Sequence, residues 1–146
     1  MDSIRKINFS DFTTISKLER DVFKDCWSKK IIEDQINHVN AINLLLIEKN
    51  QVLGYIFAQN YTDFVEIQRI GVSKKARRKR IGETLIKEIE IIAAQLNINK
   101  ILLEVRKDNL PAIKLYQKLQ FGIDSIRKKY YALDNEDAIL MSKELT

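Results

Sequence analysis

Several kinds of residue are scarce in this chain of 146 residues. Cysteine occurs once, at Cys26, so no intrachain disulfide can form. Histidine also occurs once, at His38, and one Cys with one His leaves no zinc cluster of the usual kind. One proline and four glycines offer no Pro- or Gly-rich linker on which to place a domain boundary. No apolar run approaches the roughly 18 residues of a membrane span. The opening "MDSIRKINFSDF" has neither an apolar stretch nor a small-residue cleavage signal. Both glycine signatures for nucleotide phosphates, G-x-x-x-x-G-K-[ST] and G-x-G-x-x-G, are missing. The expectation is one domain spanning residues 1–146, cytoplasmic and soluble, with no metal and no membrane partner.

What is present reads as an ordinary globular protein. The chain is 45% apolar and 31% charged, which argues against disorder. A chain this long buries roughly 68–70% of its unfolded surface and needs no covalent staple. Its formal net charge of +5 suits an anionic partner: nucleic acid, a phosphorylated cofactor or a ribosome. A compositional drift toward lysine would give the same total charge.

The hydrophobic pattern gives an element order. "SIRKINF" (3–9) reads as a first strand. "DFTTISKLERDVF" (11–23) has Ile15, Leu18 and Val22 at helical spacing, with Ser10 or Asp11 as cap. "SKKIIEDQIN" (28–37) is a second helix capped by Ser28. "INLLLIE" (42–48), "VLGYIFAQ" (52–59) and "FVEIQRIGV" (64–72) are strands whose short connections require antiparallel pairing. A helix over 81–97 carries Leu85, Ile89, Ile92 and Leu96 on one stripe. "KILLEVR" (100–106) is a strand that could be buried on both faces. Asp108 or Asn109 caps a helix with Pro111 in its first turn, running to about Lys118. Strands over 122–133 and 138–145 close the chain as a hairpin around "DNED". The order β-α-α-β-β-β-α-β-α-β-β is a mixed sheet with helices on both faces.

Six of the seven residues from Lys74 to Arg80 are basic, and they lie between a strand and a helix. Free amides at a helix start, with arginines beside them, suit an anion. A solvated loop or an RNA-phosphate contact explains the same residues.

Three longer stretches carry a resemblance. They are "IGVSKKARRKRIGETLI" (70–86), "LLEVRKDNLPAIKLYQKLQFG" (102–122) and "YYALDNEDAILM" (130–141), with Trp27-Ser28 beside them. The first is similar to [QR]-x-x-G-x-[GA], and the second to L-E-V-R-x-x-N-x-x-A-x-x-L-Y-x-x-x-G-F. The chain resembles the GNAT acetyltransferases over essentially its whole length. Within them it resembles the bacterial ribosomal-protein-alanine N-acetyltransferases, the RimI-like group.

The resemblance implies a single GNAT-like domain with a mixed, mostly antiparallel central sheet. Strands four and five would splay apart and hold acetyl-CoA between them. It implies that Ile70, Gly71 and Val72 offer backbone groups to the pantetheine arm. Arg78, Lys79, Arg80, Ile81, Gly82 and Glu83 would wrap the pyrophosphate, with Asn109 on the other side. It assigns Glu104 as the base for the acceptor amine and Tyr116 as the proton donor to the departing thiolate, with a backbone amide near Val72 for the oxyanion. Tyr130, Tyr131, Glu136 and Asp137 would meet the acceptor, a protein N-terminus such as a ribosomal protein's.

Each residue also has a plainer reading. Glu104 could be a strand-end carboxylate pairing with Arg106 or Lys79, Tyr116 a core aromatic in line with Ala112, Leu115 and Leu119, and Asn109 a simple cap. All three at family spacing favour a catalytic site. Cys26 reads as a small hydrophobe and His38 as a polar residue at a helix end. Two positions depart from the motifs: Arg80 stands where the first glycine is expected, and Gln120 where the glycine before Phe121 is expected. Glycine adopts positive φ freely and neither of these does. At Arg80, an added charge contact and a strained backbone should nearly cancel in cofactor affinity. The alternatives are a small-amine acetyltransferase and a non-catalytic basic module that binds RNA.

Overall fold

The apolar periodicities become the elements expected, in the order expected. In the computed structural model, residues 2–131 and 134–146 are described. Ala132 and Leu133, where the sequence reading carries the penultimate strand onward, lie outside the described residues. The strands are β1 (Asp2–Lys6), β2 (Ala41–Glu48), β3 (Gln51–Asn60), β4 (Val65–Val72), β5 (Lys100–Arg106), β6 (Gly122–Tyr131) and β7 (Glu136–Glu144). The helices are α1 (Phe12–Val22), α2 (Lys29–Asn37), α3 (Ile81–Gln95) and α4 (Leu110–Lys118).

The described residues form a seven-stranded sheet in the order β1-β2-β3-β4-β5-β7-β6. Neighbours are antiparallel except β4 and β5. Short connections dictate this. β2 and β3 are joined by Lys49 and Asn50, both at positive φ, as a tight antiparallel hairpin demands. β4 and β5 are joined through α3, which permits the parallel arrangement.

Alternation along the central strands feeds two cores. One face carries α3 and α4, with Leu85, Ile86 and Ile89 packed on Ile56, Ile101 and Leu103. The other carries α1 and α2, with Ile15 and Ile32 packed on Leu45, Tyr55 and Phe57. β5 is not buried on both faces as its apolar run suggested. Ile101, Leu103 and Val105 are buried, and the residues between them are partly open.

Helix ends show how local chemistry sets boundaries. Ser28 caps α2 by accepting from the Ile31 amide at 3.2 Å. Asp11, one of the two caps expected at α1, is its N-cap residue but makes no capping bond with its side chain. Asn8 caps a 3-10 turn, Phe9–Asp11, and the Asp11 carboxylate reaches back to the Asn8 amide and to Arg5. That turn ends the first strand earlier than its apolar pattern did. α3 and α4 both close with a left-handed residue, Asn97 (φ 61) and Gln120 (φ 74). After Gln120 the Phe121 amide bonds the Tyr116 carbonyl at 2.9 Å, and the Gln120 amide bonds the Gln117 carbonyl at 2.9 Å. This is the Schellman closure, built without glycine.

Candidate active site

The site exists because β4 and β5 stop pairing. Their ladder covers only Val65–Ile67 against Ile101–Leu103. On its other edge β4 gains one residue against β3: Phe57 faces Arg69 and Ala58 faces Ile67, which leaves Gln68 unpaired. Such a bulge bends and twists the strand that carries it. Beyond it the two strands diverge around a cleft of about 900 Å³. The starts of α3 and α4 flank one end of the cleft. The α1–α2 connection and the β6–β7 hairpin flank the other.

The first end is built for an anion. Arg80 is the N-cap of α3 in the left-handed conformation (φ 59, ψ 31), and its side chain makes no capping bond. Among the described residues no acceptor meets the amides of Ile81, Gly82 and Glu83; Thr84 is the first to bond back, to the Arg80 carbonyl at 3.0 Å. Unpartnered amides and the helix dipole together favour negative charge. Arg78 is also left-handed (φ 71), and Arg77, Arg78 and Arg80 line the cleft. A Cβ on Gly82 would lie 3.2 Å from Leu115 Cδ2, so glycine keeps α3 close to α4.

Lys79 departs from the expected set. It turns toward Glu48, 3.9 Å away, and does not line the cleft. Ile70 and Val72 do line it, whereas Gly71 turns to the other face, where a Cβ would lie 2.4 Å from the Tyr55 ring. Asn109 caps α4, accepting from the Ala112 amide at 3.3 Å, and lines the cleft as well.

Glu104 from β5 and Tyr116 from α4 both line the waist of the cleft. The Glu104 side chain is 22% exposed, and its ion-pair partner is Arg127 at 3.5 Å, not Arg106 or Lys79. Tyr116 is 9% exposed and packs on Phe121, with ring centroids 5.9 Å apart. Burial, with the neighbouring Tyr131 adding to it, pushes its hydroxyl up to about 12. Tyr116 is therefore protonated at neutral pH and able to donate. Its ring is a core residue, as the plainer reading has it, and the residue also lines the cleft.

Tyr130 and Tyr131 stand edge to face beside Glu104, with centroids 5.2 Å apart. Burial and then the Glu104 carboxylate raise the hydroxyls of both, that of Tyr131 to about 12. Glu136 and Asp137 are placed elsewhere. Asp137 accepts from the Lys129 amide at 2.9 Å and pairs with Lys128 at 3.3 Å; Glu136 accepts from the Asp137 amide at 2.8 Å. Neither lines the cleft. The hairpin uses these carboxylates to close itself.

The sequence reading missed the wall opposite the tyrosines: Phe23, Asp25 and Trp27 between α1 and α2, held from beneath by Arg69. Glu19 is fully buried on α1. It takes a hydrogen bond from the Tyr55 hydroxyl, bonds Arg69 Nη2 at 2.6 Å, and accepts from the Trp27 amide at 2.8 Å. The Arg69 guanidinium lies 3.6 Å from the Phe23 ring centre. A signal was available: Glu19 interrupts the apolar stripe of α1, and Arg69 interrupts the apolar strand "EIQRIGV". Two opposite charges in apolar patterns point to a buried pair.

Residues 2–121 match the model of the acetyltransferase (GNAT) family. The chain is 30% identical to an N-alpha-acetyltransferase of Saccharolobus solfataricus, over 98% of this chain and 93% of that one. It is 27% identical to the [ribosomal protein bS18]-alanine N-acetyltransferase of Haemophilus influenzae, over 97% and 98%. The crystal structure of the ribosomal-protein-S18-alanine N-acetyltransferase of Escherichia coli superposes with a TM-score of 0.94 at 24% identity, covering 100% of this chain and 95% of that one.

Proposed function

The chain belongs to the GNAT acetyltransferase family, and from that premise we propose that it moves an acetyl group from acetyl-CoA to the α-amino group of a protein N-terminus, with a ribosomal protein as the acceptor. One observation carries the reading. A single cleft joins an uncapped, arginine-lined helix start, a carboxylate and a protonated tyrosine on its wall, and an aromatic mouth. Relatives named as N-alpha-acetyltransferases and as bS18-alanine N-acetyltransferases, matched nearly end to end, support the choice of acceptor.

Acetyl-CoA supplies the activated acetyl thioester. The residues present fit it: Arg77, Arg78, Arg80 and the amides at the start of α3 would hold the pyrophosphate, and Ile70, Val72 and Asn109, which line the same cleft, would receive the pantetheine arm. Glu104 takes a proton from the acceptor amine, whose ordinary pKa of about 7.7–8.0 leaves it mostly charged at neutral pH. Tyr116 donates a proton to the departing thiolate. Tyr130 and Tyr131 on one side and Phe23 and Trp27 on the other grip the first residues of the acceptor and keep water from the waist of the cleft.

The test offers the protein acetyl-CoA with short peptides matching the N-terminus of bS18, and free polyamines as a control. Mass spectrometry should find one acetyl on the peptide α-amine, and acetyl-CoA should raise the melting temperature. Faster acetylation of polyamines than of peptides would overturn the acceptor assignment. RNA binding that acetyl-CoA does not contest, with no thermal shift, would overturn the enzyme.

A further inference from the structure

Alternating charges cross the floor of the acceptor end. Buried Glu19 on α1 binds Arg69 on β4. Arg69 lies 3.7 Å from Oδ1 of Asp25 in the α1–α2 connection, and Arg106 on β5 lies 3.9 Å from its Oδ2. One carboxylate thus faces two guanidiniums, one with each oxygen. Arg106 then holds Asp108 with two bonds, Nε to Oδ1 at 3.1 Å and Nη2 to Oδ2 at 3.2 Å, and bonds Asp134 at the turn of the β6–β7 hairpin. Its guanidinium also lies 4.9 Å from the centre of the Tyr131 ring.

We propose that Arg106 is a positioning residue for the acceptor: one guanidinium ties the α1–α2 connection, the turn before α4 and the β6–β7 hairpin into a single mouth over Glu104. The inference rests on the acetyltransferase reading of the cleft. Three features argue for it. The three segments come from distant parts of the chain and have Arg106 as their shared partner. A planar fork that satisfies Asp108 with two bonds while reaching Asp134 is a task for arginine and not for lysine. The ring beside the guanidinium, Tyr131, packs edge to face on Tyr130 and lines the cleft with it. Moving Arg106 therefore moves the tyrosine side of the mouth, without touching the arginines at the start of α3.

Arg106→Gln should raise the KM for the acceptor peptide about tenfold or more and change kcat and the acetyl-CoA Kd by less than about threefold. Arg106→Lys should fail to restore KM. Asp134→Asn, a milder change at an exposed site, should raise KM in the same direction, and in the double variant it should add nothing to Arg106→Gln, because both remove one contact. Hydrogen exchange should quicken together in residues 23–27 and 134–137. A lowered melting temperature with unchanged KM and unchanged exchange would overturn the proposal, as would an acetyl-CoA Kd rising in step with KM. If the wild type acetylates no peptide, the acceptor assignment fails by itself. The exchange measurement then decides the clasp alone: joint loss of protection supports it, and independent behaviour of the two segments overturns it.

Discussion

Replacing Arg80 by glycine separates two effects that the sequence alone suggests would cancel. In the structure Arg80 sits in the left-handed region, as the N-cap that starts α3. That strain is a cost of the fold itself. A non-glycine residue in that region costs about 1–2 kcal/mol. Glycine removes the strain and adds about 0.4–1 kcal/mol of unfolded-chain entropy. The net gain is about 0.5–1 kcal/mol, or roughly 2–4 °C in melting temperature for a chain of this size. Binding responds separately. Glycine deletes a side chain that lines the pyrophosphate end, and a charge-assisted bond contributes about 1.5–3 kcal/mol. Arg80 is exposed, so the lower figure applies. Arg77 and Arg78 remain, and the loss should be about tenfold in acetyl-CoA affinity. Scanning calorimetry and calorimetric titration of both proteins measure the two numbers. A melting temperature that falls, or an affinity that rises, would refute the reasoning.

Four further substitutions have expected outcomes. Glu104→Gln should lower kcat by roughly 10²–10⁴-fold with acetyl-CoA affinity nearly unchanged, and activity within about threefold of wild type would remove Glu104 from proton transfer. Tyr116→Phe should lower kcat at least about tenfold at an unchanged melting temperature near pH 7. The same variant tests a pH effect. A tyrosine that ionises near 10 when unfolded and at about 12 when folded makes stability fall as pH climbs from 10 to 12, so Tyr116→Phe should lessen that alkaline loss. Gln120→Gly should raise stability by up to about 1 kcal/mol with kcat and KM unchanged, read from urea midpoints. Glu19→Gln should cost about 3 kcal/mol in the same assay, because it takes from Arg69 its fully buried counter-ion and leaves it only Asp25, 3.7 Å away.

Much of this molecule was legible in its residues. Strand and helix order follows from apolar spacing, and Glu104, Asn109 and Tyr116 fall where their motif puts them because one strand, one cap and one helix fix their distances. What escaped needs the third dimension. Nothing in a linear pattern says that Asp137 folds back on Lys128 and the Lys129 amide, so a carboxylate expected at the acceptor closes its own hairpin. Nor does the run of basic residues say that Lys79 leaves its neighbours for Glu48. The partner of Glu104 lies on β6, which becomes its neighbour only after β7 has paired with β5. At α1, Asp11 stands at the N-cap as its position suggested, but Arg5 and the Asn8 amide claim its carboxylate, so it makes no capping bond.

The single unpaired residue in β4 also reverses the phase of that strand. Before Gln68, odd-numbered residues point toward α3: Val65 and Ile67 are in that core. After it, even-numbered ones do: Ile70 and Val72 pack there, while Arg69 and Gly71 point toward α1 and Tyr55. Were Gln68 paired regularly, strict alternation would drive the Arg69 guanidinium into the aliphatic layer under α3 and would turn Ile70 toward Glu19. Deleting Gln68 is thus a different kind of change from substituting it. Substitution alters one side chain at the bulge, whereas deletion removes the bulge and leaves Arg69 to Val72 on the faces they now occupy. What deletion takes away is the bend, and with it the parting of β4 from β5 beyond Leu103. The cleft depends on the count of residues between Ile67 and Ile70.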